Sequence, residues 1–229
     1  MITIRDLHFR WPRDAHDCLA IERLDVAAGQ TVFLHGPSGC GKSTLLGLMA
    51  GVLVANSGSV HVVGHDWAAL PSRRRDPLRA EKLGVIFQQF NLLPYLSVLD
   101  NVLLPCRFSA PRARRAAQAH GSAEAAAMSL LEQMGLVAAL RSRPAAELSV
   151  GQQQRVAAAR ALIGAPELVI ADEPTSSLDA ALRDAFMALL LDHTRAAGST
   201  LIFVSHDERL AERFDVRLSL PAINLAGSA

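Results

Sequence analysis

The chain has 229 residues, half of them hydrophobic, with a formal net charge of +1 and cysteines only at 18, 40 and 106. That length can bury a full core as one large domain, and the near-neutral charge gives no general electrostatic case for a nucleic-acid partner. No apolar run approaches the roughly 18 to 20 residues of a membrane span, residues 1–6 lack the layout of a signal peptide, and three cysteines without metal-ligand spacing suit a reducing, cytoplasmic compartment.

Residues 2–9 and 19–26 alternate apolar and polar side chains, as half-buried strands do. A turn at 27–30 leads into the apolar run Thr31-Val32-Phe33-Leu34, read as a buried strand. Next comes Gly36-Pro37-Ser38-Gly39-Cys40-Gly41-Lys42-Ser43-Thr44, which fits G-x-x-x-x-G-K-[ST], followed by a helical run at 44–50. Strand, loop and helix together are the context this phosphate-cradling motif requires. Its glycines let the backbone turn N–H groups around a phosphate, and the helix N-terminus adds about half a positive charge. Lys42 would reach the β/γ-phosphates and the Ser43 hydroxyl would ligate Mg²⁺. The plain alternative is a glycine turn, but Lys42 is one of two lysines in the chain.

Beyond a turn at 56–58, a strand is expected at 59–63, a charged helix at 71–82 and a short strand at 84–87. The arginines at 73–75 and 112–115 read as solvated helix faces. From 89 to 160 the composition becomes rich in alanine, leucine and arginine, with helical spacing at 122–134 and 150–163. This predicts a helical insertion, 89–160, in an α/β core made of 1–88 and 161–220. Strands return at 168–171, 200–204 and 216–220, a helix is expected at 181–196, and 221–229 reads as a loose tail. Strands alternating with helices imply a mainly parallel sheet with its ligand at the strands' C-terminal ends.

The run Leu168-Val169-Ile170-Ala171-Asp172-Glu173-Pro174 is an apolar strand ending in two carboxylates. Alone it is a weak signal. Paired with the glycine loop, it assigns Asp172 to Mg²⁺ and Glu173 to deprotonating a water for attack on a γ-phosphate. Further back, Ser149 caps a helix and Gln152, three residues on, closes a capping box, and such a helix start is also an anion site.

Leu148-Ser149-Val150-Gly151-Gln152 resembles the signature motif of ATP-binding cassette (ABC) ATPases, with Val150 where the family usually has glycine. Other family elements follow in order. Trp11 matches the aromatic residue that stacks on adenine, with Phe9 as a rival. Gln88 matches the glutamine that touches Mg²⁺ and water and senses the membrane partner, with Gln89 as a rival in register. Ser176-Ser177-Leu178-Asp179 matches the D-loop, and Val204-Ser205-His206-Asp207 the switch histidine. The resemblance implies a P-loop core with a small antiparallel β subdomain near the N-terminus and a helical insertion. It implies ATP and Mg²⁺ as cofactors in a head-to-tail homodimer. Each ATP would lie on Gly36 to Thr44 of one subunit and under Ser149, Gly151 and Gln152 of the other, with Asp179 at the nucleotide and His206 at the γ-phosphate.

The segment 87–102 is unusually apolar for a loop beside a nucleotide site. It resembles the lipoprotein-releasing, macrolide-exporting and cell-division branch, which implies an integral membrane permease as partner and a place on the inner face of the membrane. A soluble or regulatory ABC ATPase is the alternative. A P-loop kinase would have no use for the signature run.

Overall fold

The computed structural model describes residues 1–176 and 178–226; Ser177, 227–229 and the Ala180 side chain lie outside the described set. The alternation at the start of the chain forms an antiparallel pair, β1 (Ile2–Phe9) with β2 (Leu19–Val26), in register from Ile2 opposite Val26 to Phe9 opposite Leu19. Ile2, Ile4, Leu7 and Phe9 face the core with Leu19, Ile21, Leu24 and Val26. β4 (Ser57–Val62) and the two-residue β5 (His65–Asp66) complete the sheet in the order β2-β1-β4-β5. The turn expected at 56–58 is largely strand, because its small residues serve a close approach. A side chain at Gly58 would collide with the Asp6 carbonyl oxygen, where the β1–β4 register shifts.

The buried run became β3 (Thr31–His35), which pairs in parallel with β8 (Thr200–Val204) on one side and β9 (Val216–Ser219) on the other. Flanked on both edges, such a strand reads as continuous hydrophobics. Phe33, Phe203 and Phe214 pack ring against ring with centroids 5.3 to 6.4 Å apart. The Thr31 amide and hydroxyl both donate to Asp215 at 2.8 Å. α1 (Lys42–Met49) begins two residues earlier than expected, so the loop's Lys-Ser pair forms its first turn. At the other end, α8 (Leu220–Ile223) stands where a loose tail was expected to begin, with Leu220 fully buried.

These elements make one compact unit, Met1–Arg79 with the chain from Thr200 onward, and Ala80–Ser199 makes a second. α2 (Ser72–Lys82) leads from the first to the second. There β6 (Leu83–Ile86) pairs in parallel with β7 (Leu168–Asp172), Leu83 opposite Leu168. Five helices accompany them: α3 (Val98–Phe108), α4 (Ala110–His120), α5 (Ala123–Gln133), α6 (Val150–Leu162) and α7 (Ala180–Ala196). The boundary between α3 and α4 was not legible. Ser109 ends one and caps the next, accepting from the Arg112 amide, and Pro105 lies inside α3.

One sequence expectation is overturned here. Arg112 and Arg115 are not on a solvated face; Arg114 alone of that cluster is exposed. Arg112 is 1 % exposed and donates to the carbonyls of Ala80, Leu83, Ala161 and Ile163. Arg115 donates to Gly164 and Glu81. Burial pushes the Arg112 guanidinium down to about 10, so it stays charged at neutral pH. Those carbonyls lie in the last turns of α2 and α6, just beyond α6, and at the first residue of β6, where the ends of regular structure leave acceptors over. Arg112→Met should therefore lower stability by at least about 3 kcal/mol, or about 10 °C in Tm by thermal unfolding. Arg114→Met should leave Tm unchanged.

Candidate functional site

In the first unit the site grows from the end of β3. Leu34 lies opposite Val204 in the parallel register, so the glycine loop and His206 leave adjacent strands at the same edge. Gly39 and Gly41 sit at φ 79 and φ 100, backbone conformations that favour glycine. At Gly41 a side chain would also meet Leu19 Cδ2 at 2.8 Å. Lys42 Nζ donates to the carbonyls of Gly36 (2.8 Å) and Pro37 (2.9 Å), folding the ammonium over its own loop. Pro37, Ser38, Gly39 and Ser43 are exposed, Cys40 is half-buried, and Thr44 is buried with its hydroxyl 3.6 Å from Cys18 Sγ. His206 is exposed, behind the buried Ser205, whose hydroxyl accepts from the Asp207 amide.

The aromatic pair divides cleanly. Phe9 is buried in β1, whereas Trp11 lies beyond the strand, 41 % exposed, with its ring edge-on to Phe9 at 5.2 Å. Trp11 is the one with a face to offer a ligand.

In the second unit Ile86 lies opposite Ala171, so Gln88 and Glu173 emerge two residues beyond the same register position. Asp172 ends β7, and Glu173 follows at φ 47, a left-handed conformation unusual for a side chain of its size. Gln154 of α6, buried, donates to the Pro174 carbonyl at 2.6 Å and steadies this turn. Asp179 caps α7 by accepting from the Leu182 amide, which accounts for it structurally. Ser177, within the D-loop match, lies outside the described residues.

The capping box at the start of α6 is formed. The Ser149 hydroxyl accepts from the Gln152 amide, and the Ser149 amide donates to Gln152 Oε1 at 2.9 Å. Ser149 and Val150 are exposed, and a side chain added at Gly151 would meet nothing within 4 Å. Gln88 and Gln89 both lie exposed in the turn after β6. That turn passes into Phe90 and Asn91, both left-handed, whose carbonyls are held by Arg160. Beyond them Asn101, fully buried, pins the loop by donating to the carbonyls of Leu93, Leu96 and Ser97 and accepting from the Leu93 amide. A groove of about 230 Å³ runs alongside, with Phe87, Leu104, Pro105 and Phe108 in its lining.

Sequence reasoning singled out neither Arg160 nor Gln154, since their partners are backbone carbonyls 69 and 20 residues away. The residues it did single out fall into two groups: Trp11, the glycine loop and His206 in the first unit, and Gln88, the Ser149–Gln152 helix start, Asp172, Glu173 and Asp179 in the second.

Comparison with known proteins decides the family. Its profile, described as ABC transporter, matches residues 21–176. The chain belongs to the ABC transporter family. It is 44 % identical over 197 residues to an uncharacterised ABC transporter ATP-binding protein, YbbA, of Escherichia coli, covering 86 % of this chain and 83 % of that one. It is 46 % identical over 192 residues to the lipoprotein-releasing system ATP-binding protein LolD of Anaeromyxobacter dehalogenans, covering 84 % and 77 %. Among solved structures it resembles a dimeric post-hydrolysis state of the ATP-binding cassette MJ0796 bound to ADP and Pi, with a TM-score of 0.81 at 29 % identity over 96 % of this chain and 95 % of that one. The chain is thus an ATPase subunit of an ABC transporter with the ABC ATPase fold.

Within this cassette Arg160 ties α6 to the loop after Gln88. Its guanidinium is held below the usual arginine range by burial. Arg160→Met removes both donors while keeping the stem. Amide exchange at 87–93 should then quicken roughly ten- to a hundredfold, while exchange in β1 and β2 stays as in the wild type.

Proposed function

We propose that this subunit dimerises head to tail around two ATP molecules and that hydrolysis drives a membrane permease. The signature glycine is the observation that carries this reading. Gly151 lies in the first turn of α6, where glycine is less favourable than alanine, and among the described residues a Cβ there would meet nothing within 4 Å beyond its own helix. The capping box beside it leaves Ser149 exposed at a helix N-terminus, a place suited to a phosphate brought by a second subunit. A dimeric neighbour bound to ADP and Pi supports the same arrangement.

In this reading Gly36 to Thr44 cradle the phosphates, Lys42 exchanges its loop carbonyls for phosphate oxygens, and Trp11 stacks on adenine. Glu173 accepts the proton of the attacking water, Gln88 orients that water, and His206 meets the γ-phosphate. For Mg²⁺, the Ser43 hydroxyl and the Asp172 carboxylate each offer a hard oxygen of the kind the ion takes. When bound, Mg²⁺ would neutralise charge on the phosphates.

The permease would dock on the segment after Gln88, where Tyr95 is 75 % and Phe108 73 % exposed while Asn101 fixes the backbone. Phe90 is buried and Leu92 and Leu93 are half-buried, so only part of the apolar run is available to a partner. The lipoprotein-releasing relatives favour extraction or export across the envelope, with this subunit on the cytoplasmic face of the membrane.

Two experiments test the reading. Gly151→Ala should leave Tm unchanged or slightly raised, since alanine is better in a helix by about 1 kcal/mol, yet reduce ATPase activity at least about tenfold. Mixed with Lys42→Ala, it should recover activity, because the mixed dimer keeps one intact loop facing one intact signature. Full activity of Gly151→Ala alone, or no recovery in demonstrated heterodimers, overturns the shared site. Separately, Glu173→Gln should lower turnover by about 10² to 10⁴ with ATP binding retained. Near-normal turnover removes Glu173 as the base.

A further inference from the structure

We propose that Asn224, beyond the last helix, is a positioning residue of the phosphate loop: by holding the Cys40 carbonyl it aims the Gly41 N–H at the nucleotide. The proposal rests on reading Gly36 to Thr44 as the nucleotide loop.

Asn224 uses its whole side-chain amide. Nδ2 donates to the carbonyls of Cys18 (3.1 Å) and Cys40 (3.5 Å), and Oδ1 accepts from the amides of Ala20 (2.8 Å) and Ala226 (3.2 Å). Carbonyls on one side and N–H groups on the other fix which way the amide faces. The segment that carries it is anchored. The Asn224 amide closes onto Leu220, which is fully buried, and the Leu225 amide donates to Ala20 at 2.8 Å. Pro221 of α8 also backs the loop, since a side chain at Gly36 would meet its Cδ at 2.9 Å. One side chain therefore bridges the first residues of β2 and the middle of the glycine loop.

The peptide plane supplies the consequence. In a trans peptide the C=O and the following N–H point in opposite directions. A Cys40 carbonyl drawn toward Asn224 sends the Gly41 N–H the other way. Without an anchor this peptide could flip at small penalty, because Gly41 tolerates both signs of φ; with the anchor it is held at φ 100. An anion-binding loop works only while its N–H groups converge, and a flipped peptide would present a carbonyl oxygen to phosphate instead. Asn224 touches no reacting atom, so its effect falls on ATP affinity rather than on the chemical step.

The test measures MgATP binding by calorimetry and Tm by thermal unfolding on the full chain, with the Gly41 amide resonance as a local probe. Asn224→Asp keeps the acceptor toward Ala20 and turns a carboxylate oxygen on the two carbonyls. It should weaken MgATP binding about tenfold, and Asn224→Ala about threefold. Tm should stay within about 4 °C of the wild type, as for loss of about 1 kcal/mol. The Gly41 resonance should move in the ATP-free variant and lose its response to ATP. Wild-type affinity in either folded variant overturns the proposal. So does loss of affinity that merely follows a collapse in Tm, or failure of both variants to fold, since either outcome makes Asn224 a scaffold residue. Lys42→Ala run in parallel keeps the two ideas apart: if it binds MgATP like the wild type, the nucleotide-loop reading fails whatever Asn224 does.

Discussion

A loop that grips phosphate through backbone N–H groups must turn those groups one way, and every carbonyl it contains must then be satisfied behind it or over it. That requirement organises the first unit. β3 delivers the loop from between two parallel neighbours, so the strand cannot twist away. Lys42 covers the carbonyls of Gly36 and Pro37. Glycines at φ 79 and φ 100 provide the turns that a side chain would resist. The short α8 lies where its Pro221 backs the same loop.

The second unit solves a related problem with different means. Its loops and element ends leave carbonyls without ladder partners, and arginines capture them. Arg112 serves four carbonyls, Arg115 two and Arg160 two, with the carboxylate of Glu81 lying 3.8 Å from Arg115. A buried guanidinium is expensive to desolvate, and hydrogen bonds to carbonyls offset part of that cost. Arginine suits the task because its fork spans several carbonyls at once and keeps its charge even when burial lowers its pKa. The turn after Gln88 thereby gains a defined shape in spite of two successive left-handed residues.

Local patterns were legible where one rule governed them. β1, β2 and β8 fall on the residues their alternation or apolar run predicted, and the capping box at Ser149 forms as its spacing required. Even the different burial of Phe9 and Trp11 was latent in the sequence, since Phe9 continues the inward series of β1 and Trp11 lies outside it. What escaped notice depends on long-range backbone partners. An arginine cluster on an alanine-rich helix looks solvated until the carbonyls of β6 and α6 arrive beside it. Asn224 looked like part of a loose tail because its partners lie 206 and 184 residues away. Charge patterning records a residue's affinity for water, and a multiple hydrogen-bond donor satisfied by peptides imitates water without leaving a trace in sequence.

Some residues carry a cost in backbone conformation, helix propensity or exposed apolar surface. Glu173 stands left-handed at the end of β7, a conformation that costs a non-glycine residue about 1 kcal/mol or more. Gly151 gives up helix propensity and fills no tight space, while Val150 beside it holds an apolar side chain out to solvent. They share another property: each lies in a segment that the family resemblance assigns to ATP, Glu173 at the proposed water and the other two at the proposed partner's nucleotide. Sequences generally agree with their folds at every level except where a ligand or a second chain supplies the missing term. On that argument the helix start at Ser149, its capping box already closed, is a place for a ligand, which in the proposed dimer is the nucleotide of another copy.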